Sequence, residues 1–166
     1  MSTYVIFDGD NDGWAYHYIR GWAANKRLGF VFENSHDLGP MTSRAQDEAY
    51  VKRNLKARMQ NSSEALVLVG EKTKNLYRYV RWEIELALEL GLPIIVVNLN
   101  KKRTVDHDMM PPILRDVCAL HIAYRYRAIK NAITTWPSAF AKMSIQTRNE
   151  GPREYNAATY QSLGLG

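Results

Sequence analysis

Residues 65–70 read Ala-Leu-Val-Leu-Val-Gly, a run of five apolar side chains that ends in glycine. A strand with one face in water alternates apolar and polar residues, so an uninterrupted apolar run indicates a strand that is buried on both faces. Residues 94–97, Ile-Ile-Val-Val, repeat this pattern. Two such strands predict the centre of a parallel sheet that helices cover on both sides.

Strand-like and helix-like segments alternate along the rest of the chain. β-branched and aromatic residues predict further strands at 3–7, 30–32 and 119–123. Apolar residues at helical spacing predict four helices. The first begins after residue 13, the second covers residues 47–60 and the third covers residues 77–90. The fourth contains Ile129, Ile133, Trp136 and Phe140. The polar residues 34–46, which contain Gly39-Pro40, are predicted to form a loop.

This alternation predicts an α/β fold, a doubly wound parallel sheet of five strands in the order 2-1-3-4-5 with helices on both faces. In such sheets the ligand crevice lies at the carboxyl ends of the first and third strands, which here are followed by residues 8–13 and 70–83. One domain is predicted over residues 1–140. Residues 141–166 lose periodicity and are predicted to form an irregular C-terminal extension.

The composition is that of a globular protein in a reducing compartment. The 166 residues are 46% hydrophobic and 23% charged, which excludes a wholly disordered chain. No apolar run is long enough for a membrane helix, and the first residues lack a signal peptide, so we expect a cytoplasmic protein without membrane contact. The single cysteine, Cys118, excludes an intrachain disulfide and a Cys-rich zinc site, and no metal site is expected.

The net positive charge of the chain favours the binding of anionic ligands in general. A net charge of +5 and a pI of about 9.3 attract polyanions, including nucleic acid and dinucleotides. The basic residues are spread along the chain, with a short run at Lys101-Lys102-Arg103, which argues against a nucleic-acid footprint.

An acidic loop, residues 8–13, follows the first predicted strand. Its sequence Asp-Gly-Asp-Asn-Asp-Gly starts like a calcium-binding loop, but the required glutamate at the twelfth position is Ile19. Its carboxylates either cap the next helix or accept hydrogen bonds from a ligand. We expect Asp8 or Asp10 to contact substrate and Asp12 to cap the helix.

A second candidate site lies on the predicted helix over residues 77–90. Tyr79 precedes Glu83 by four residues, which places an aromatic ring and a carboxylate side by side near the crevice. Glu83 also borders the packed stripe of this helix. The competing interpretation is a surface salt bridge between Glu83 and Arg81 or Arg78.

Several segments together resemble the prokaryotic TIR-like domains, including the TIR proteins of Thoeris antiphage defence systems. The resemblance covers roughly residues 3–140, and the Trp-Glu-Ile helix after the Val-Gly strand is its most specific part. The segments that carry it are Phe7-Asp8-Gly9-Asp10-Asn11-Asp12, Tyr50-Val51-Lys52-Arg53, Ser62-Ser63, Leu66-Val67-Leu68-Val69-Gly70, Val80-Arg81-Trp82-Glu83-Ile84-Glu85 and Pro93-Ile94-Ile95-Val96-Val97-Asn98.

The resemblance implies a flavodoxin-like TIR fold and cleavage of NAD at the nicotinamide–ribose bond. It implies an ADP-ribose-derived product, often cyclic, that activates a separate effector protein, and it implies TIR contacts between copies of the chain. NAD is then a substrate, and no cofactor is expected. The family's catalytic glutamate matches Glu83, and its usual tryptophan falls on Tyr79.

Phe7, Asp8, Asp10 and Tyr79 are predicted to bind the substrate. This sequence departs from many members in having Asp8-Gly9-Asp10 where they have an aromatic-rich strand end. The alternatives to an NAD-cleaving enzyme are a non-catalytic TIR scaffold and a nucleotide-binding module without turnover.

Overall fold

Within the residues that the structure describes, six parallel strands form the sheet at the centre of the molecule. The computed structural model describes residues 2–25, 32–33, 48–76 and 79–166. In these residues the strands lie in the spatial order β2-β1-β3-β4-β5-β6. Their bounds are β1 Ser2–Ile6, β2 Phe32–Glu33, β3 Ser62–Val69, β4 Ile94–Asn98, β5 Leu120–Ala123 and β6 Arg153–Glu154. The predicted parallel α/β sheet is therefore confirmed, and β6 adds a strand to the predicted five. The predicted strand residues 30–31 and the predicted loop 34–46 lie outside the described residues.

Helices cover both faces of this sheet. The α-helices are α1 Gly13–Ala24, α2 Glu48–Met59, α3 Tyr79–Glu89, α4 Tyr126–Lys142, α5 Ile145–Arg148 and α6 Ala157–Ser162. Alternate residues of β1 show how the faces divide. Val5 packs in one core with α1 and α4, whereas Ile6 packs in the other core with α2 and α3.

The strand register brings three loops to one edge of the sheet. Ile6 in β1 pairs with Val67 in β3, and Val69 at the end of β3 pairs with Asn98 at the end of β4. The segments that follow these three strands therefore start close together. This is the edge at which the sequence predicts the crevice.

Residues 141–166 are not irregular, so that expectation is wrong. They contain α5, α6 and β6, and β6 pairs with β5. Tyr160 on α6 is buried, and its hydroxyl oxygen accepts the backbone N–H of Ala123 at 3.0 Å. Elements of two to six residues are too short to show a hydrophobic period, which is why the sequence pattern missed them. A domain end at residue 140 stays a prediction.

The described ranges also lack two features. None of their helices has both the length and the apolar character needed to cross a membrane. They contain no group of three or more His, Cys, Asp or Glu side chains that could hold a metal ion.

Candidate functional site

A cavity of about 490 Å³ lies at the carboxyl ends of β1, β3 and β4. It sits where the winding of the sheet reverses between β1 and β3, the usual ligand crevice of such folds. Its lining combines an aromatic ring, charged groups and amides, and includes Asn11, Asp12, Trp14, Gly70, Lys72 and Asn100. A volume of this size fits a small organic ligand.

Asp8 supports the loop that borders this cavity. Its Oδ1 accepts the backbone N–H groups of Asp10 at 3.0 Å and Asn11 at 3.3 Å, and its Oδ2 accepts the Asn11 amide at 2.6 Å. The side chain is 3% exposed. The Asp8 side chain thus stabilises the turn over residues 8–11 through hydrogen bonds to its own loop, as aspartate commonly does. Asp10 is exposed and does not line the cavity. Substrate contact by either residue stays a prediction.

Asp12 does not cap α1 through its side chain, which corrects the sequence expectation. Its Oδ2 instead accepts the hydroxyl of Thr73 at 3.3 Å, and that hydroxyl oxygen accepts the Gly70 N–H at 2.9 Å. A Cβ on Gly70 would lie 2.5 Å from Asp12 Oδ1, so the carboxylate fits because residue 70 is glycine. Burial, and then the charge of Asp8, raise the pKa of Asp12.

Glu83 is buried in the interior beside α3. It is 3% exposed, and the hydroxyl of Tyr4 on β1 donates to its Oε2 at 2.7 Å. Burial raises the pKa of Glu83 to about 8, although the hydrogen bond from Tyr4 acts in the opposite direction. At neutral pH the resting carboxyl group is therefore mainly protonated.

A salt bridge does not explain Glu83 within the described residues. Arg81 pairs with Glu85 at 2.9 Å instead, and Arg78 lies outside the described residues. Glu83 also lines neither the large cavity nor a smaller one of about 300 Å³ beside Val80 and Ile84. A buried carboxyl group whose hydrogen bond comes from a tyrosine is unusual, because buried acids generally pair with a cation.

The other predicted site residues lie on two different faces of the sheet. Tyr79, in the first turn of α3, is partly buried and meets Trp82 edge-on, with ring centroids 5.4 Å apart. It packs against the core that α2 and α3 share. Phe7 is buried in the opposite core and stacks on Tyr16 at 4.5 Å. The structure thus does not bring Phe7 together with Tyr79 and Glu83.

Sequence reasoning missed Tyr4, Thr73 and Trp14. Tyr4 had a usable signal, because a buried tyrosine hydroxyl needs a hydrogen-bonding partner and Tyr4 lies in the middle of β1, just before the apolar residues Val5 and Ile6. Trp14 is 50% exposed at the cavity, a degree of exposure that sequence spacing does not reveal. Thr73 follows the strand by four residues, and nothing in the pattern marks its contact with Asp12.

Comparison with protein-family models gives a match over the first part of the chain. A family model described as the TIR-like domain of the Thoeris protein ThsB matches residues 4–104, which is more than half of the chain. The matched range includes Tyr4, Asp12, Tyr79 and Glu83. No curated protein matches the chain.

Proposed function

The chain belongs to the TIR-like domain family of the Thoeris protein ThsB, and from this premise we propose that it cleaves NAD at the nicotinamide–ribose bond during antiphage defence. The match confirms the resemblance that the strand and helix motifs carry. The proposed product is an ADP-ribose-derived signal that activates a separate effector protein. The acceptor of the ADP-ribosyl group, which is water, an atom of the same nucleotide or another small molecule, determines whether the product is linear, cyclic or conjugated.

The environment of Glu83 is the observation that supports this proposal. Strongly perturbed carboxyl groups are enriched at catalytic sites, and burial raises the pKa of Glu83 to about 8. Glu83 also lies on the helix after β3, where the family resemblance puts the catalytic glutamate. The Tyr4 hydroxyl holds one of its oxygens in place.

The charge changes of the reaction suit such a group. The C–N bond breaks, nicotinamide leaves as a neutral molecule with the bonding electron pair, and positive charge develops on the ribose. A carboxylate beside the ribose stabilises that charge. The nicotinamide ring of bound NAD is itself cationic, so its approach lowers the pKa of Glu83 and favours loss of the proton. In this mechanism Glu83 gives its proton to water as NAD binds, and it is ionised in the transition state.

The burial of Glu83 sets a condition on this mechanism. Glu83 is 3% exposed and lines neither cavity, so the packing beside α3 has to open before its side chain can contact a substrate. The direct test is to incubate the purified protein with NAD and to separate the products by chromatography. We expect nicotinamide and an ADP-ribose-derived product in equal amounts.

The same burial favours one alternative, a non-catalytic TIR scaffold in which the Tyr4–Glu83 hydrogen bond is simply part of the core. A scaffold releases no nicotinamide at any protein concentration. The chromatographic experiment therefore separates the two functions.

Self-association provides the next prediction. TIR contacts between copies are expected to open or complete the site, so the rate of NAD cleavage per molecule should rise with protein concentration. The measurement is initial rate against protein concentration, with size-exclusion chromatography over the same range. A strictly monomeric protein with a constant specific activity would contradict this prediction.

The Tyr79 ring provides a further prediction. We propose that it borders the nicotinamide pocket, so Tyr79→Ala should lower kcat/KM by about tenfold, the size of one good aromatic contact. Tyr79→Trp keeps a ring and should lower it much less. Thermal unfolding of both variants provides the control, because Tyr79 also packs against Trp82. Equal kcat/KM values for the two variants would make Tyr79 only a packing residue.

A further inference from the structure

The large cavity contains an aromatic surface that the proposed cleavage step does not use. Trp14 is 50% exposed there and meets Tyr124 edge-on, with ring centroids 5.6 Å apart. The Tyr124 hydroxyl donates to the Ala15 carbonyl at 3.0 Å, which ties Tyr124 to α1 directly behind Trp14. The indole is thus supported by the protein on one side and exposed beside the cavity.

Asp12 contributes a fixed acceptor to the same cavity. Thr73 occupies its Oδ2, and Oδ1 accepts no hydrogen bond from the residues that the structure describes. Gly70 leaves the space that this carboxylate occupies. A rigidly held carboxylate with a free oxygen is suited to accept hydrogen bonds from the hydroxyl groups of a ligand.

Lys72 places a positive charge on the cavity lining. Within the described part of the chain, Lys72 forms no ion pair. Its ammonium group is therefore available to an anionic ligand. The same charge opposes a metal ion between Asp12 and Glu71.

We propose that this cavity binds an adenosine 5′-phosphate group, with the base on Trp14, the ribose diol on Asp12 and the phosphate at Lys72. Aromatic rings stack on any base, and carboxylates bind ribose hydroxyl groups in other doubly wound folds. A volume of about 490 Å³ is sufficient for one nucleotide. The choice of adenosine rests on the proposed function, because NAD and ADP-ribose both contain this group.

Isothermal titration calorimetry with ADP-ribose and with AMP tests this assignment. Trp14→Ala and Asp12→Asn should each raise the Kd of both ligands by about tenfold or more. Asparagine can still accept the Thr73 hydroxyl, so the Asp12 variant should stay folded, which its melting temperature checks. Tyr18→Ala is the matched control, because Tyr18 is also an exposed aromatic residue of α1, at 59%, but does not line the cavity. Its Kd values should equal those of the unmodified protein.

The outcomes separate this assignment from NAD cleavage. Weaker binding only in the Trp14 and Asp12 variants supports the cavity assignment even if no nicotinamide is released. The cavity assignment is overturned, even if NAD is cleaved, when the unmodified protein binds neither ADP-ribose nor AMP. It is also overturned when all variants have the same Kd values as the unmodified protein. When NAD is cleaved, a raised KM in Trp14→Ala identifies the ligand as the adenosine half of the substrate. An unchanged KM with weaker ADP-ribose binding identifies a separate nucleotide.

Discussion

Glu83→Gln is expected to lower NAD cleavage by at least about a hundredfold, the order of magnitude contributed by one charge-stabilising group. Glutamine has nearly the same shape as glutamate but carries no negative charge, so it cannot stabilise the developing charge on the ribose. Its carbonyl oxygen can still accept the hydroxyl of Tyr4, which keeps the local packing. The measurement is nicotinamide release per minute by equal amounts of folded protein.

Glu85→Gln is the matched control for this experiment. Glu85 lies two residues further along α3, pairs with Arg81, and has a side chain that is 36% exposed. Loss of the Glu85 charge should leave the rate of NAD cleavage near that of the unmodified protein, because this charge is on the surface. Full activity in Glu83→Gln would remove Glu83 from the mechanism. A comparable loss of activity in Glu83→Gln and Glu85→Gln would indicate that the substitutions damage α3.

The sheet could be predicted because its central strands have a distinctive composition. The runs at β3 and β4 are apolar on both faces, and only a covered parallel sheet buries such strands. The edge strand β6 was harder to predict, because it has only two residues and its position in the sheet depends on pairing with β5. Long-range contacts of this kind leave no local period in the sequence.

The site was only partly predictable, for a similar reason. The position of Glu83 could have indicated burial, because Val80, Glu83, Ile84 and Ala87 follow the spacing of a packed helix face. The capping role expected of Asp12 was wrong because local propensity competes with tertiary contacts. Thr73 is 61 residues away in the chain and provides the hydrogen bond that orients the carboxylate.

The free energy of unfolding should fall as the pH rises from 4.5 to 8, through the titration of Glu83. Its pKa is raised from 4.5 in the unfolded chain to about 8 in the folded protein. The folded state therefore holds a proton that the unfolded state has released, so this contribution is complete below pH 4.5 and is lost as the pH passes 8. The shift corresponds to roughly 5 kcal/mol across that range.

The comparison with Glu83→Gln isolates this contribution. Burial also lowers the pKa of His121 to about 4, and that group destabilises the fold as the pH falls below 6.5. Because both proteins contain His121, its effect cancels when their unfolding free energies are subtracted at each pH. Urea denaturation at five values from pH 5 to pH 9 should show Glu83→Gln gaining stability relative to the unmodified protein as the pH rises. Parallel curves would mean that Glu83 titrates at the same pH in the folded and unfolded states, and would contradict both its burial and the raised pKa on which its proposed role depends.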